Sequence, residues 1–117
     1  MKYSFVNLLL FVLVFSACQQ ENPEQKAIAE LERKVDVEPS EVLANELNAA
    51  YLNYINEHPE DEDNNARYLY RAASLEYRMD RYSGAASLLE SLLENYRNHS
   101  LAAEGTHLLA SIYEDKL

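Results

Sequence analysis

The apolar residues of this chain recur with the period of an α-helix, and this pattern limits the fold more than any other feature. The period is cleanest between residues 82 and 96, where apolar side chains return every three or four positions. The chain also has only 2 glycines and 3 prolines, too few for the many turns of an all-β fold. Its 117 residues leave room for one small domain, which we expect to be all-α.

Helix boundaries follow from prolines and from short polar residues. Five helices are predicted, over residues 24–35, 41–57, 65–79, 82–96 and 101–115. Ser40, Asn65 and Ser100 stand at expected N-caps, because their side chains can accept a hydrogen bond from a backbone N–H of the first turn. Pro39 and Pro59 interrupt the pattern, and the acidic residues 60–63 are expected to form a solvated loop.

The third and fifth predicted helices resemble each other. Ala66 and Ala103 open them 37 positions apart, and residues 73–75 (Ala-Ser-Leu) match residues 110–112 (Ala-Ser-Ile) at the same offset. A repeat of this length indicates helix pairs that stack into an array, because one pair alone cannot bury its apolar face.

The segment 66–97 resembles a tetratricopeptide repeat. The similarity lies at Leu69, Ala73, Tyr82, Ala85, Leu89 and Leu92, and it continues in the next half-repeat at Leu109, Ala110 and Tyr113. Two positions depart from the family, Glu76 where an aromatic or apolar residue is usual and Arg97 where proline is common. The resemblance covers about residues 41–117 and implies antiparallel helix hairpins stacked as a short tetratricopeptide-like superhelix. Within this family, the chain is similar to repeat-bearing lipoproteins of the bacterial envelope, including those of β-barrel assembly and those associated with the Tol–Pal system.

The array also looks unfinished. The last predicted helix is the first member of a pair, and no second member follows before Leu117. We expect this helix to be a cap, to meet a partner or second copy, or to mark a truncated array; an exposed Leu108 or Ile112 would indicate a face that awaits such a partner.

The first 18 residues have the composition of an export signal. Lys2 supplies a positive charge, and residues 5–15 form an apolar core that is shorter than the about 20 residues needed to cross a membrane. A retained membrane helix is the alternative. Residues 15–18 (Phe-Ser-Ala-Cys) resemble the bacterial lipobox, with Phe15 where leucine is usual.

This resemblance implies cleavage before Cys18 and a lipid on its sulfur. The chain would then consist of a signal peptide over residues 1–17, a lipidated tether over residues 18–23 and a repeat domain over residues 24–117. Gln19 follows the cysteine, which in similar lipoproteins favours the outer membrane. We therefore expect a lipid-anchored protein of the cell envelope that faces the periplasm.

In tetratricopeptide repeats the first helix of each pair lines a concave groove. Carried onto this chain, the groove-facing residues are Arg67, Tyr70, Arg71, Ser74, Tyr77 and Arg78. Their helical spacing places most of them on one surface, and four of the six arginines of this chain lie between residues 67 and 81. We expect the surface to bind an acidic or carboxylate-bearing peptide. The alternative is that these arginines pair with carboxylates on neighbouring helices, namely Glu57, Glu76, Asp80 and Glu104.

Other functions receive little support. A net charge of −10 argues against nucleic-acid binding. No catalytic residues and no cofactor are predicted. In particular, the 2 glycines of the chain cannot form a glycine-rich phosphate loop. Glu104 and His107 have the spacing of half a di-iron motif, but no second copy exists, so no metal is expected. His58 and His99 stand at predicted helix ends, where we expect them to cap or to face water.

The sequence thus predicts a membrane-anchored adaptor or scaffold that binds an envelope protein or peptide and catalyses no reaction. One alternative is a structural subunit of an outer-membrane assembly complex that docks, or associates with itself, through the last helix. A metal-binding lipoprotein is the other alternative.

Overall fold

The structure is a computed structural model, and it describes residues 22–117. These residues form five α-helices and no β-strand: α1 (Pro23–Val37), α2 (Glu41–Glu57), α3 (Glu62–Arg78), α4 (Tyr82–Asn95) and α5 (Leu101–Asp115). The prediction of an all-α fold is confirmed. The predicted signal peptide, the lipid on Cys18 and all of the tether before residue 22 lie outside the described residues. Within residues 22–117, no helix combines the length and the apolar character that crossing a membrane requires.

The helix N-termini agree with the sequence in one case and differ in two. The Ser40 side chain accepts a hydrogen bond from the Leu43 backbone N–H at 3.1 Å, so this cap is confirmed. The cap predicted at Asn65 is wrong, because α3 begins at Glu62 and Asn65 is buried inside the helix. Residues 62 and 63 therefore form a first helical turn rather than a loop, where acidic side chains interact favourably with the helix dipole.

The fifth helix begins with a different cap from the one expected. Ser100 makes no side-chain capping bond, and the prediction for it is wrong. His99 takes that role, since its Nδ1 atom accepts a hydrogen bond from the Leu101 backbone N–H at 3.1 Å.

Helix α3 connects two hydrophobic cores. Each helix packs on the next one along the chain, and α5 also contacts α3. Because connections of three to five residues join them, neighbouring helices run antiparallel. One face of α3 contributes Tyr68, Ala72 and Leu75 to a core shared with α1 and α2. Its other face contributes Ala66, Leu69 and Ala73 to a core shared with α4 and α5.

The apolar face of α5 is largely covered by α3 and α4. Ile112 is fully buried and Gly105 is buried, while Leu108 and Leu109 are partly buried against the second core. The exposed stripe expected of an unfinished array is therefore not seen at Leu108 or Ile112. The large apolar residues that are exposed near this end are Tyr113 and Leu117.

Candidate functional site

Two clefts lie on the face formed by α1, α3 and α5. Helices α1 and α3 are the first helices of the two hairpins, and α5 is the last helix described. The first cleft, of about 250 Å³, lies between α1 and α3. The second, of about 430 Å³, lies between α3 and α5 and includes His107 and Leu108 in its wall. Tyr70 lines both clefts, so the two adjoin at this side chain on α3. We call this surface, with Tyr70 at its centre, the α1–α3–α5 groove.

The structure places four of the six predicted binding residues in the first cleft. They are Tyr70, Arg71, Ser74 and Arg78. Arg67 and Tyr77 lie outside its wall. Arg67 forms an ion pair with Asp63 one turn earlier at 3.2 Å, and the Tyr77 ring packs edge-on against Tyr82 with 5.4 Å between centroids.

Glu32 of α1 lines the first cleft and accepts hydrogen bonds from side chains of α2 and α3. Its Oε2 atom accepts a hydrogen bond from the buried Tyr51 hydroxyl at 2.7 Å and one from Arg71 Nη1 at 3.0 Å. Burial raises the pKa of Tyr51, and the hydrogen bond to the Glu32 carboxylate raises it further, so the hydroxyl remains a donor. The Arg71 guanidinium also lies 5.8 Å from the centroid of the Tyr68 ring, within range of a cation–π contact.

The arginines of this region differ in their partners. Arg78 is exposed and forms no ion pair with any residue from 22 to 117. Arg81 reaches α2, where it bonds Asn45 Oδ1 at 2.7 Å and Glu41 Oε1 at 3.2 Å. Among the four carboxylates considered as arginine partners, only Glu76 pairs with one in the described part, and that one is Arg81 at 3.4 Å.

The unusual Glu76 has its own polar partners. Its Oε1 atom accepts a hydrogen bond of 2.6 Å from the Nδ2 group of Asn48, a buried residue on α2. A β-carbon on Gly84 would lie 2.9 Å from the other carboxylate oxygen, so the glycine leaves room for this side chain. Glu76 thus forms a hydrogen bond between α2 and α3.

Both hairpins are closed at one end by a histidine and a carboxylate. His58, after α2, lies 2.9 Å from Glu24 in the first turn of α1. His99, after α4, lies 2.8 Å from Asp63 in the first turn of α3. The hydrogen bond to Glu24 raises the pKa of His58 above its ordinary value, partly opposed by burial. These contacts repeat from one hairpin to the next, although they were not predicted.

One group of potential metal ligands occurs in the described residues, at Glu24, Glu57 and His58, whose ligand atoms lie within 4.8 Å of one another. Both glutamates are exposed, and His58 already uses a ring nitrogen for Glu24. Within residues 22–117, Glu104 and His107 acquire no third ligand and stand in the wall of the second cleft. The arrangement therefore offers a solvated ion pair rather than a preformed metal centre.

Comparison of the chain with protein-family models, with curated proteins and with solved structures finds no match. The fold defines a class, the all-α proteins built of packed helix hairpins. Function must then be argued from the groove itself.

Proposed function

We propose that this protein is a membrane-anchored adaptor or scaffold of the bacterial cell envelope, which binds another protein in the α1–α3–α5 groove. The observation that carries the proposal is the meeting of two clefts at Tyr70, with Arg71 and Arg78 beside it. Tyrosine and arginine contribute most strongly to protein interfaces, because they combine a large contact area with directed hydrogen bonds. A groove on packed helices is also rigid, so little ordering is required when a peptide binds.

The anchor in this proposal is the lipid on Cys18. Lipidation would hold the groove near a bilayer, most simply the outer membrane, and raise the effective concentration of the protein for partners at that surface. Replacing Cys18 with alanine should release the protein from the membrane fraction and abolish labelling by a fatty-acid analogue. Retention of the label in the Cys18→Ala variant would contradict the anchor without bearing on the groove.

The groove is tested by cross-linking in cells. Tyr70 is replaced in the full-length chain by the photoreactive p-benzoylphenylalanine, and Ser87, exposed on α4 away from the groove, is replaced in a control. We expect irradiation to attach one or a few proteins at position 70 and none of them at position 87. Equal capture at both positions, or none at position 70, would contradict the proposal.

A further inference from the structure

The first cleft already contains a bound carboxylate, which belongs to the chain itself. A hydroxyl on α2 (Tyr51) and a guanidinium on α3 (Arg71) both donate to the Oε2 atom of Glu32 on α1. These donors are positioned by packing: Tyr51 is buried in the first core, and Arg71 lies over the Tyr68 ring. The cleft thus presents two converging donors to a single carboxylate oxygen, which is an arrangement that recognises carboxylates in general.

This carboxylate is replaceable. The side chain of Glu32 is 29% exposed and that of Arg71 is 47% exposed, so water reaches the ion pair. Ion pairs that are this accessible contribute little to stability, because solvent screens them and ordering two long side chains is unfavourable. A carboxylate from another molecule can compete for the same donors if it also makes contacts elsewhere in the cleft.

Arg78 supplies such a contact. It lines the same cleft, it is exposed, and it has no ion-pair partner among residues 22–117. Arg78 lies seven positions after Arg71, which separates the two by about 10 Å along the helix. On a peptide in the extended polyproline II conformation, carboxylate side chains three positions apart lie on the same face and are separated by a similar distance, about 9 Å.

We infer that the first cleft binds an extended acidic peptide whose one carboxylate replaces Glu32 on Tyr51 and Arg71 while a second, three residues away, pairs with Arg78. Glu32 is then an internal competitor that lowers the affinity for this peptide. The inference rests on the proposed function, for which it specifies the chemistry of the partner and the regulation of the groove.

The test uses the full-length chain in detergent and a fluorescein-labelled synthetic peptide with two glutamates three positions apart between Gly-Ser flanks, followed by fluorescence anisotropy. In the Glu32→Gln variant the competing charge is lost while the size and the hydrogen bond from Tyr51 are kept, and we expect binding to tighten by about threefold or more. Arg71→Gln and Arg78→Gln should each weaken binding. Asp36→Asn is the matched control, because Asp36 lines the same cleft but forms no ion pair with Arg71 among residues 22–117; its effect should be smaller than that of Glu32→Gln.

Several outcomes would overturn the inference. If Asp36→Asn tightened peptide binding as much as Glu32→Gln, the overall charge of the cleft would set the affinity rather than competition at one site. Weaker binding by Glu32→Gln would mean that Glu32 positions Arg71 for the ligand. No binding of the peptide by any variant, while position 70 still captures a partner in cells, would reject the acidic chemistry and leave the adaptor proposal standing.

Discussion

A hydrogen bond between two polar side chains, Asn48 and Glu76, joins α2 and α3. Asn48 is buried, and its Nδ2 group donates to Glu76, while its own Oδ1 atom has no hydrogen-bond partner within the described structure. The buried Asn48 amide therefore depends on its hydrogen bond to Glu76. Removing only one partner leaves a buried polar group unpaired, which is more unfavourable than replacing both partners with apolar side chains. The stability of this contact should therefore depend on both members together.

We predict a strong coupling between Asn48 and Glu76. Glu76→Leu should destabilise the protein by about 1–3 kcal/mol, because the Asn48 amide is left buried and unpaired. Adding Asn48→Leu should recover much of the loss, since two apolar side chains can then pack together. Urea unfolding of the two single variants and the double variant measures the coupling. Additive effects in this cycle would show that the hydrogen bond is not what links the two positions.

At the scale of helices, the sequence predicted the existence of all five elements but not every end. Apolar period determines where a helix buries its side chains, and α2 and α5 follow the prediction closely. The cap predicted at Asn65 was wrong because an asparagine side chain can either cap a helix or form a buried hydrogen bond. Its Nδ2 group instead donates to the His58 carbonyl at 2.7 Å, across the connection between α2 and α3.

The candidate site was predictable to a similar extent. The repeat resemblance, supported by the spacing on α3, named four of the residues that this helix contributes to the first cleft, including Tyr70 and Arg71. It could not identify Glu32, 39 positions before Arg71, because that contact depends on how α1 packs on α2 and α3. For the same reason it could not show that Arg81, at the start of α4, reaches α2.

The two serine positions provide a prediction about helix caps. Ser40→Ala should destabilise the protein by about 1 kcal/mol, because the Leu43 N–H loses its acceptor. Ser100→Ala should have almost no effect, since Ser100 accepts no capping bond and His99 serves that helix. Thermal or urea unfolding of both variants makes the comparison. A loss at Ser100 as large as that at Ser40 would contradict the capping assigned to His99.

The closed end of the first hairpin predicts a dependence on pH. The hydrogen bond from His58 to Glu24 holds the pKa of His58 above its ordinary value of 6.5, so the protonated ring is favoured in the folded state. Its contribution to stability is therefore complete below about pH 6.5 and is lost as the pH rises through the higher folded pKa. We expect urea midpoints of the wild type to fall across this interval relative to those of His58→Gln.

The matched control for this prediction is His107→Gln, because His107 is exposed and forms no ion pair within residues 22–117. The pH-dependent fall relative to His58→Gln should be larger than any change relative to this variant. Two further carboxylates, Glu57 and Glu60, also raise the pKa of His58, so the sign does not depend on Glu24 alone. A midpoint that rises with pH relative to His58→Gln would refute the assignment.

At the scale of the whole molecule, the shared helix makes the two cores interdependent. Helix α3 buries one face with α1 and α2 and the opposite face with α4 and α5. Loss of either core therefore exposes apolar surface on α3 and weakens the other core. Stacked repeats generally behave in this way, because each unit is stabilised by its neighbour.

Cooperative unfolding of residues 22–117 follows from this packing. Leu89 is fully buried in the second core, and Leu89→Ala should destabilise that core by about 2–5 kcal/mol through lost burial and an unfilled cavity. If α3 couples the cores, the backbone amides of α1, which contributes no residue to the second core, should lose hydrogen-exchange protection to nearly the same extent as those of α4. Val42→Ala, at an exposed position, should change neither. Unchanged protection of α1 beside a loosened α4 would instead mean that the hairpins unfold as separate units, because the effect of the substitution would then not reach the first core.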